Sequence, residues 1–224
     1  MATTMKQLID AAYAISTFND GNKSATTEEL VAVVNRYMKT LYSFAATKNK
    51  YYFATTSIVA GASGAWPKPP TAELIIKAAL EDGTEVSILP VEDMVAELPP
   101  AIYLLGGSYL PCGRVADPDP ATASIVFTFS ARHTDLATTG LTKAQADALE
   151  LDASWPEQFN DLPVLQLARY MARKDGRHDE ARSHSEEQAV LMAQFQTHLE
   201  SANAGMISRF SHDRIVQPGA SVQT

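Results

Sequence analysis

The chain has 224 residues, 46% of them hydrophobic and 20% charged, with a formal net charge of −8; it is long enough to bury a sizeable core and far from a disordered composition. The acidic balance excludes tight sequence-independent binding of nucleic acid, which depends on Lys and Arg displacing counterions. The sequence has no apolar run of about 18 residues to span a membrane, and its single cysteine, Cys112, excludes an intrachain disulfide and a cysteine-based zinc site.

The N-terminal stretch has neither the basic start nor the apolar run of a signal peptide, so a reducing interior such as the cytoplasm is the expected setting. Charge is unevenly spread. Residues 1–50 have a net charge of +2, residues 51–135 one of −6 and residues 136–224 one of −4.

Met5, Leu8, Ala12 and Ile15 repeat at spacings of three and four, predicting a first helix that ends before Asn19-Asp20-Gly21-Asn22. Thr26 with Glu29 is a capping box, in which each side chain satisfies a free N–H of the first turn. It opens a second helix with Leu30, Val33, Val34, Tyr37, Met38, Leu41 and Phe44 on its apolar face. The two helices are expected to form an antiparallel hairpin.

The period then changes. Tyr51 to Ala60 has the β-branched and aromatic content of a strand. Asp82-Gly83 between Leu74-Ile75-Ile76 and Val86-Ser87-Ile88 predicts a hairpin, and Gly106-Gly107 between Ala101–Leu105 and Tyr109–Val115 predicts a second. Ser124 to Ser130 alternates in the manner of a strand with one apolar face. Helical spacing returns with the Thr142–Gln145 capping box, the Trp155-Pro156-Glu157 helix start, and the stripe Val164, Leu167, Ala168 and Met171. A last helix, about 179–201, is polar on all sides through Gln188, a pattern of helices that bridge solvent or await a partner.

The fold class predicted from this order is α+β: an antiparallel helical bundle of residues 1–50 and 136–205, a small antiparallel sheet of residues 51–135 inserted into it, and an extended C-terminal arm of residues 206–224.

Candidate chemistry is sparse. His178, Asp179, Glu180 and His184 are the densest group of potential metal ligands, but they lack zinc-binding spacing and read as a solvated helix face. Cys112 has no basic partner in sequence to activate it. Asp117 and Asp119, interleaved with prolines, read as a rigid turn. No catalytic or metal-binding residue is therefore assigned, and no cofactor is expected. Arg169, Arg173, Lys174 and Arg177 gather at a helix C-terminus, where they complement the helix dipole and nearby carboxylates or meet an acidic partner.

Several stretches resemble the head–tail connector (adaptor) proteins of tailed bacteriophages. They are Pro99-Pro100-Ala101-Ile102-Tyr103, Asp117-Pro118-Asp119, the strand Ile125–Ser130, and Leu151-Asp152-Ala153-Ser154-Trp155-Pro156-Glu157-Gln158-Phe159 leading into Leu165-Gln166-Leu167-Ala168-Arg169-Tyr170-Met171-Ala172. Lys174-Asp175-Gly176-Arg177 follows, with Glu180, Ala181, Glu186 and Glu187 in the last helix. The opening Leu8–Ala12 and Thr26–Leu30 match the family's N-terminal hairpin.

The resemblance implies a non-enzymatic virion protein at the neck, made in the host cytoplasm. It would form a self-assembled ring, expected as a dodecamer, beneath the portal protein and above a neck or tail protein. DNA would pass through its channel without sequence-specific binding. Met206, Ile207 and Phe210 would then anchor to the portal, and Arg169, Arg173, Arg177, Glu180, Glu186 and Glu187 would serve the subunit interface. The alternatives are another phage assembly or tail-completion protein, or an enzyme or ligand-binding protein with a site in the β-rich middle around Cys112, Asp117 and His133.

Overall fold

A computed structural model describes residues 3–16, 25–62, 64–90, 101–112, 124–140 and 142–213, with side chains described through 202 except at Cys112. Five α-helices are present among these residues, α1 (Met5–Ile15), α2 (Thr27–Lys48), α3 (Lys143–Asp147), α4 (Asp161–Lys174) and α5 (His178–Asp213), with a short 3-10 helix at Glu157–Phe159. Seven strands lie between α2 and α3: β1 (Ala54–Ala60), β2 (Trp66–Pro67), β3 (Ala72–Leu80), β4 (Glu85–Leu89), β5 (Ala101–Leu105), β6 (Ser108–Cys112) and β7 (Ser124–Ala131).

Local sequence signals account for most element ends. Full capping boxes open α1 at Thr4, α2 at Thr26 and α3 at Thr142. Asp82 Oδ1 accepts the Thr84 N–H at 2.8 Å, and Gly83 sits at φ +89°, so the β3–β4 turn forms where Asp-Gly places it. Gly106 and Gly107 both take positive φ in the β5–β6 turn, as a two-residue hairpin turn with both central residues at φ > 0 requires.

The expected bundle with a small inserted sheet needs correction. All seven strands form one sheet of order β1-β7-β3-β4-β5-β6-β2, and its two edge strands, β1 and β2, approach each other. The sheet is thus curled into a nearly closed, barrel-like form. It encloses its own core of Trp66, Ala78, Val86, Ile102, Tyr109, Ile125, Phe127 and Phe129. A structure with a separate core is a principal layer of a mixed α+β fold. The local hairpins were legible. The insertion of β7 between β1 and β3 and the parallel β4–β5 pair were not.

A second correction concerns α1, which packs mainly on α4 rather than pairing with α2. Its start is tied to the segment after α3, where Met5 N–H donates to Leu149 O at 2.7 Å and Leu151 N–H to Thr3 O at 2.9 Å. The helical core joins α1 (Met5, Leu8, Ala12), α2 (Leu30, Val34, Met38, Leu41, Tyr42), α4 (Leu162, Leu167, Ala168, Met171) and α5 (Phe195, Leu199).

Aromatic rings link this core to the sheet. Tyr42 stacks on Phe53 at 4.1 Å between ring centroids, and Trp155 lies 6.4 Å from Phe53 and 5.6 Å from Phe195. Among the described residues no helix is long and apolar enough to cross a membrane.

Candidate interaction surface

The α4–α5 hairpin turns at Gly176, whose φ of +75° is a left-handed conformation that glycine adopts without strain. Arg177 closes the turn. Its N–H donates to Ala172 O at 2.8 Å, and its guanidinium pairs with Asp175 at 3.5 Å and with Glu180. The rest of the basic cluster divides. Lys174 reaches Glu29 of α2 at 2.6 Å, Arg169 donates to Gln188 Oε1 at 3.4 Å, and Arg173 is exposed. The Lys174 ammonium and the Thr26 N–H hold the Glu29 carboxyl below its ordinary range.

Of the residues expected at a subunit interface, Arg169, Arg177 and Glu180 thus form contacts within the chain. Arg173, Glu186 and Glu187 remain on the surface, with Glu186 3.1 Å from Arg182. The stretch 206–213, expected as the start of an extended arm, is the end of α5, so Met206, Ile207 and Phe210 stand in a helix. Residues 214–224 lie outside the described residues.

The polar first half of α5 is not solvated on all sides. Ala181, His184 and Gln188, at spacings of three and four, are buried. Gln188 donates to Gln166 Oε1 at 3.2 Å and to Leu162 O at 3.4 Å. Tyr37 brings its hydroxyl beside Gln188 without meeting hydrogen-bond geometry, and burial pushes its pKa up to about 12. His184 lies with Nε2 3.5 Å from a Glu180 oxygen, and its Nδ1 finds no hydrogen-bond partner among the described residues. Around Gln188 the seam between α4, α5 and α2 therefore carries a polar patch beside its apolar core.

Beside this seam an open groove of about 460 Å³ is lined by Ile15, Val164, Leu165, Val190 and Leu191, with Asp161 and Glu187 at its rim. Ile15 and Val190 are 46% and 60% exposed. Apolar side chains ringed by carboxylates form a surface suited to contact more than to bond-making chemistry. The sequence reading missed it because the lining joins Ile15, at the end of α1, to the α4–α5 hairpin far along the chain.

Of the rival site in the β-rich middle, His133 is the residue whose side chain is described. That side chain is 2% exposed against α2, with Nε2 3.3 Å from Asn35 Oδ1 and its ring 5.6 Å from Tyr42. Cys112 ends β6 opposite Ala101, and Asp117 and Asp119 lie outside the described residues. Among the described residues no three His, Cys, Asp or Glu side chains are grouped to hold a metal ion; this includes His178, Asp179, Glu180 and His184. In comparisons with known proteins, no family model matches the chain and no curated protein matches it significantly.

Proposed function

We propose that the protein is a structural virion component, a head–tail connector whose copies ring a DNA channel between a portal and the tail. The observation that carries this reading is the length of α5. At a rise of about 1.5 Å per residue its 36 residues span roughly 54 Å. Its packing partners end sooner. Gln188 is level with Leu162 at the start of α4, and Asn49, the C-cap of α2, donates to Leu199 O at 3.1 Å.

Beyond Leu199 the helix continues for roughly another 20 Å, past the ends of both neighbours. This stretch carries Met206, Ile207 and Phe210. A long helix that outruns its own fold, with apolar residues near its end, fits a protein that completes itself on a neighbour. The resemblance assigns that neighbour as the portal. The net charge of −8 fits a channel wall that passes DNA without holding it.

Binding to purified portal rings tests the proposal. The full chain should be retained, and Met206→Asp with Phe210→Asp should abolish retention while leaving the circular dichroism spectrum unchanged. Equal retention of the double variant would remove the α5 end from the portal contact. No retention of the wild type would count against the connector reading itself.

A further inference from the structure

We propose that the groove between α4 and α5 receives Arg214-Ile215-Val216, the residues that follow α5, from a second copy of this chain in a head-to-tail contact. The inference deepens the connector reading and rests on it for the ring that such a contact builds. A contact between unlike surfaces, repeated about an axis, closes into a ring when the rotation allows it.

The groove is open in the folded chain. Val164 and Leu165 of α4 are buried at its floor, whereas Ile15 and Val190 on its sides stay 46% and 60% exposed. The chain's own atoms therefore leave an apolar surface uncovered there. Asp161 and Glu187 at the rim are exposed, and neither forms an ion pair among the described residues. A second cavity of about 350 Å³, between α1 and the start of α4, continues from Asp161 and Val164 and adds Glu157. A surface that is apolar below and lined with carboxylates above selects an occupant with apolar side chains and a cation.

Arg214-Ile215-Val216 has that chemistry, a guanidinium followed by two β-branched apolar side chains. Residues 202–224 hold Arg209 and Arg214 against Asp213, a net charge of +1 in a chain whose net charge is −8. Electrostatics therefore draws this stretch toward an acidic surface of another copy.

Geometry decides that the groove belongs to a different copy. From Val190 to Asp213, α5 carries the chain roughly 34 Å away from its own groove. Three further residues span at most about 10 Å. Arg214-Ile215-Val216 cannot fold back, so the groove it fills is a neighbour's. In that contact Arg214 meets the partner's Glu187 and Ile215 lies beside the partner's Val190. Met206 and Phe210, upstream in α5, are left for the portal.

The test is disulfide mapping between copies of full-length Cys112→Ser protein, with no portal present. Val190→Cys and Ile215→Cys are made in separate chains that differ in mass, then mixed and oxidised. The two should cross-link to each other in good yield, whereas Ile215→Cys mixed with Glu81→Cys, exposed at the β3–β4 turn, should not. Sedimentation should find the wild type self-associating. Glu187→Arg should weaken that association about tenfold or more, and Arg214→Glu in the same chain should restore it. A wild type that stays monomeric at high concentration, a cross-link to Glu81→Cys as abundant as that to Val190→Cys, or Glu187→Arg without effect or without rescue would each overturn the proposal. Retention on portal rings is a separate readout, so failure here is distinguishable from failure of the connector reading.

Discussion

Asn35 of α2 and Leu136, which follows β7, are joined by a two-way amide clamp. Asn35 Nδ2 donates to Leu136 O at 2.8 Å, and Leu136 N–H donates to Asn35 Oδ1 at 2.9 Å. A buried side chain thus does the work of a strand neighbour, fastening the exit of the sheet to the helical layer. Asn35→Ala removes the Asn35 partner of both Leu136 backbone groups, at a cost of up to about 1–3 kcal/mol for each of these half-buried groups. We expect a loss of roughly 2–4 kcal/mol in urea denaturation. Asn35→Ala within 0.5 kcal/mol of wild type would contradict the clamp.

The same Oδ1 faces His133 Nε2, which fixes the proton on Nε2 and leaves Nδ1 buried without a partner. Burial lowers the His133 pKa from the ordinary 6.5, outweighing the opposing effect of Asp135 and Asp152, while Lys39 adds to the lowering. The folded state therefore binds its proton less readily than the unfolded state does. This group's stabilisation is complete above about pH 6.5 and is lost as the pH falls through the lower folded value. Denaturation midpoints should fall between pH 8 and pH 5, and His133→Gln should flatten that fall. An equally steep fall in the variant would assign the dependence elsewhere.

Phe195 holds α5 to the rest of the fold. It is fully buried and meets Phe159 at 4.8 Å, Trp155 at 5.6 Å, and Tyr52 and Phe44 at 6.3 Å each. Phe195→Ala should cost about 3–5 kcal/mol from lost burial and the cavity left behind. Hydrogen exchange should speed most at α5 positions 190–200. Uniform acceleration across the sheet instead would mean that the two cores unfold as one unit.

Much of the local structure was legible because its causes are local. A Thr with Glu or Gln three residues on opens a helix wherever the helix goes, which is why Thr26–Glu29 and Thr142–Gln145 read correctly. Asp82-Gly83 and Gly106-Gly107 bend the chain by their own backbone preferences. The strand order was not legible, because β7 lies between β1 and β3 only through pairings far apart in sequence.

The buried stripe of α5 was hidden for another reason. Gln188 is buried by bonds to Leu162 O and Gln166, so polarity did not mean exposure there. Arg177 pairs with Asp175 and Glu180 at the α4–α5 turn, the intrachain arrangement that a basic cluster beside nearby carboxylates allows as readily as a subunit interface.

The connector reading is tested most directly by native mass spectrometry of the full chain, alone and mixed with a purified portal ring. The account predicts a complex in which many copies, a dodecamer in the expected case, add to one portal as a closed set. A chain that stays at its free mass beside the portal and takes up a small molecule or metal ion instead would contradict it.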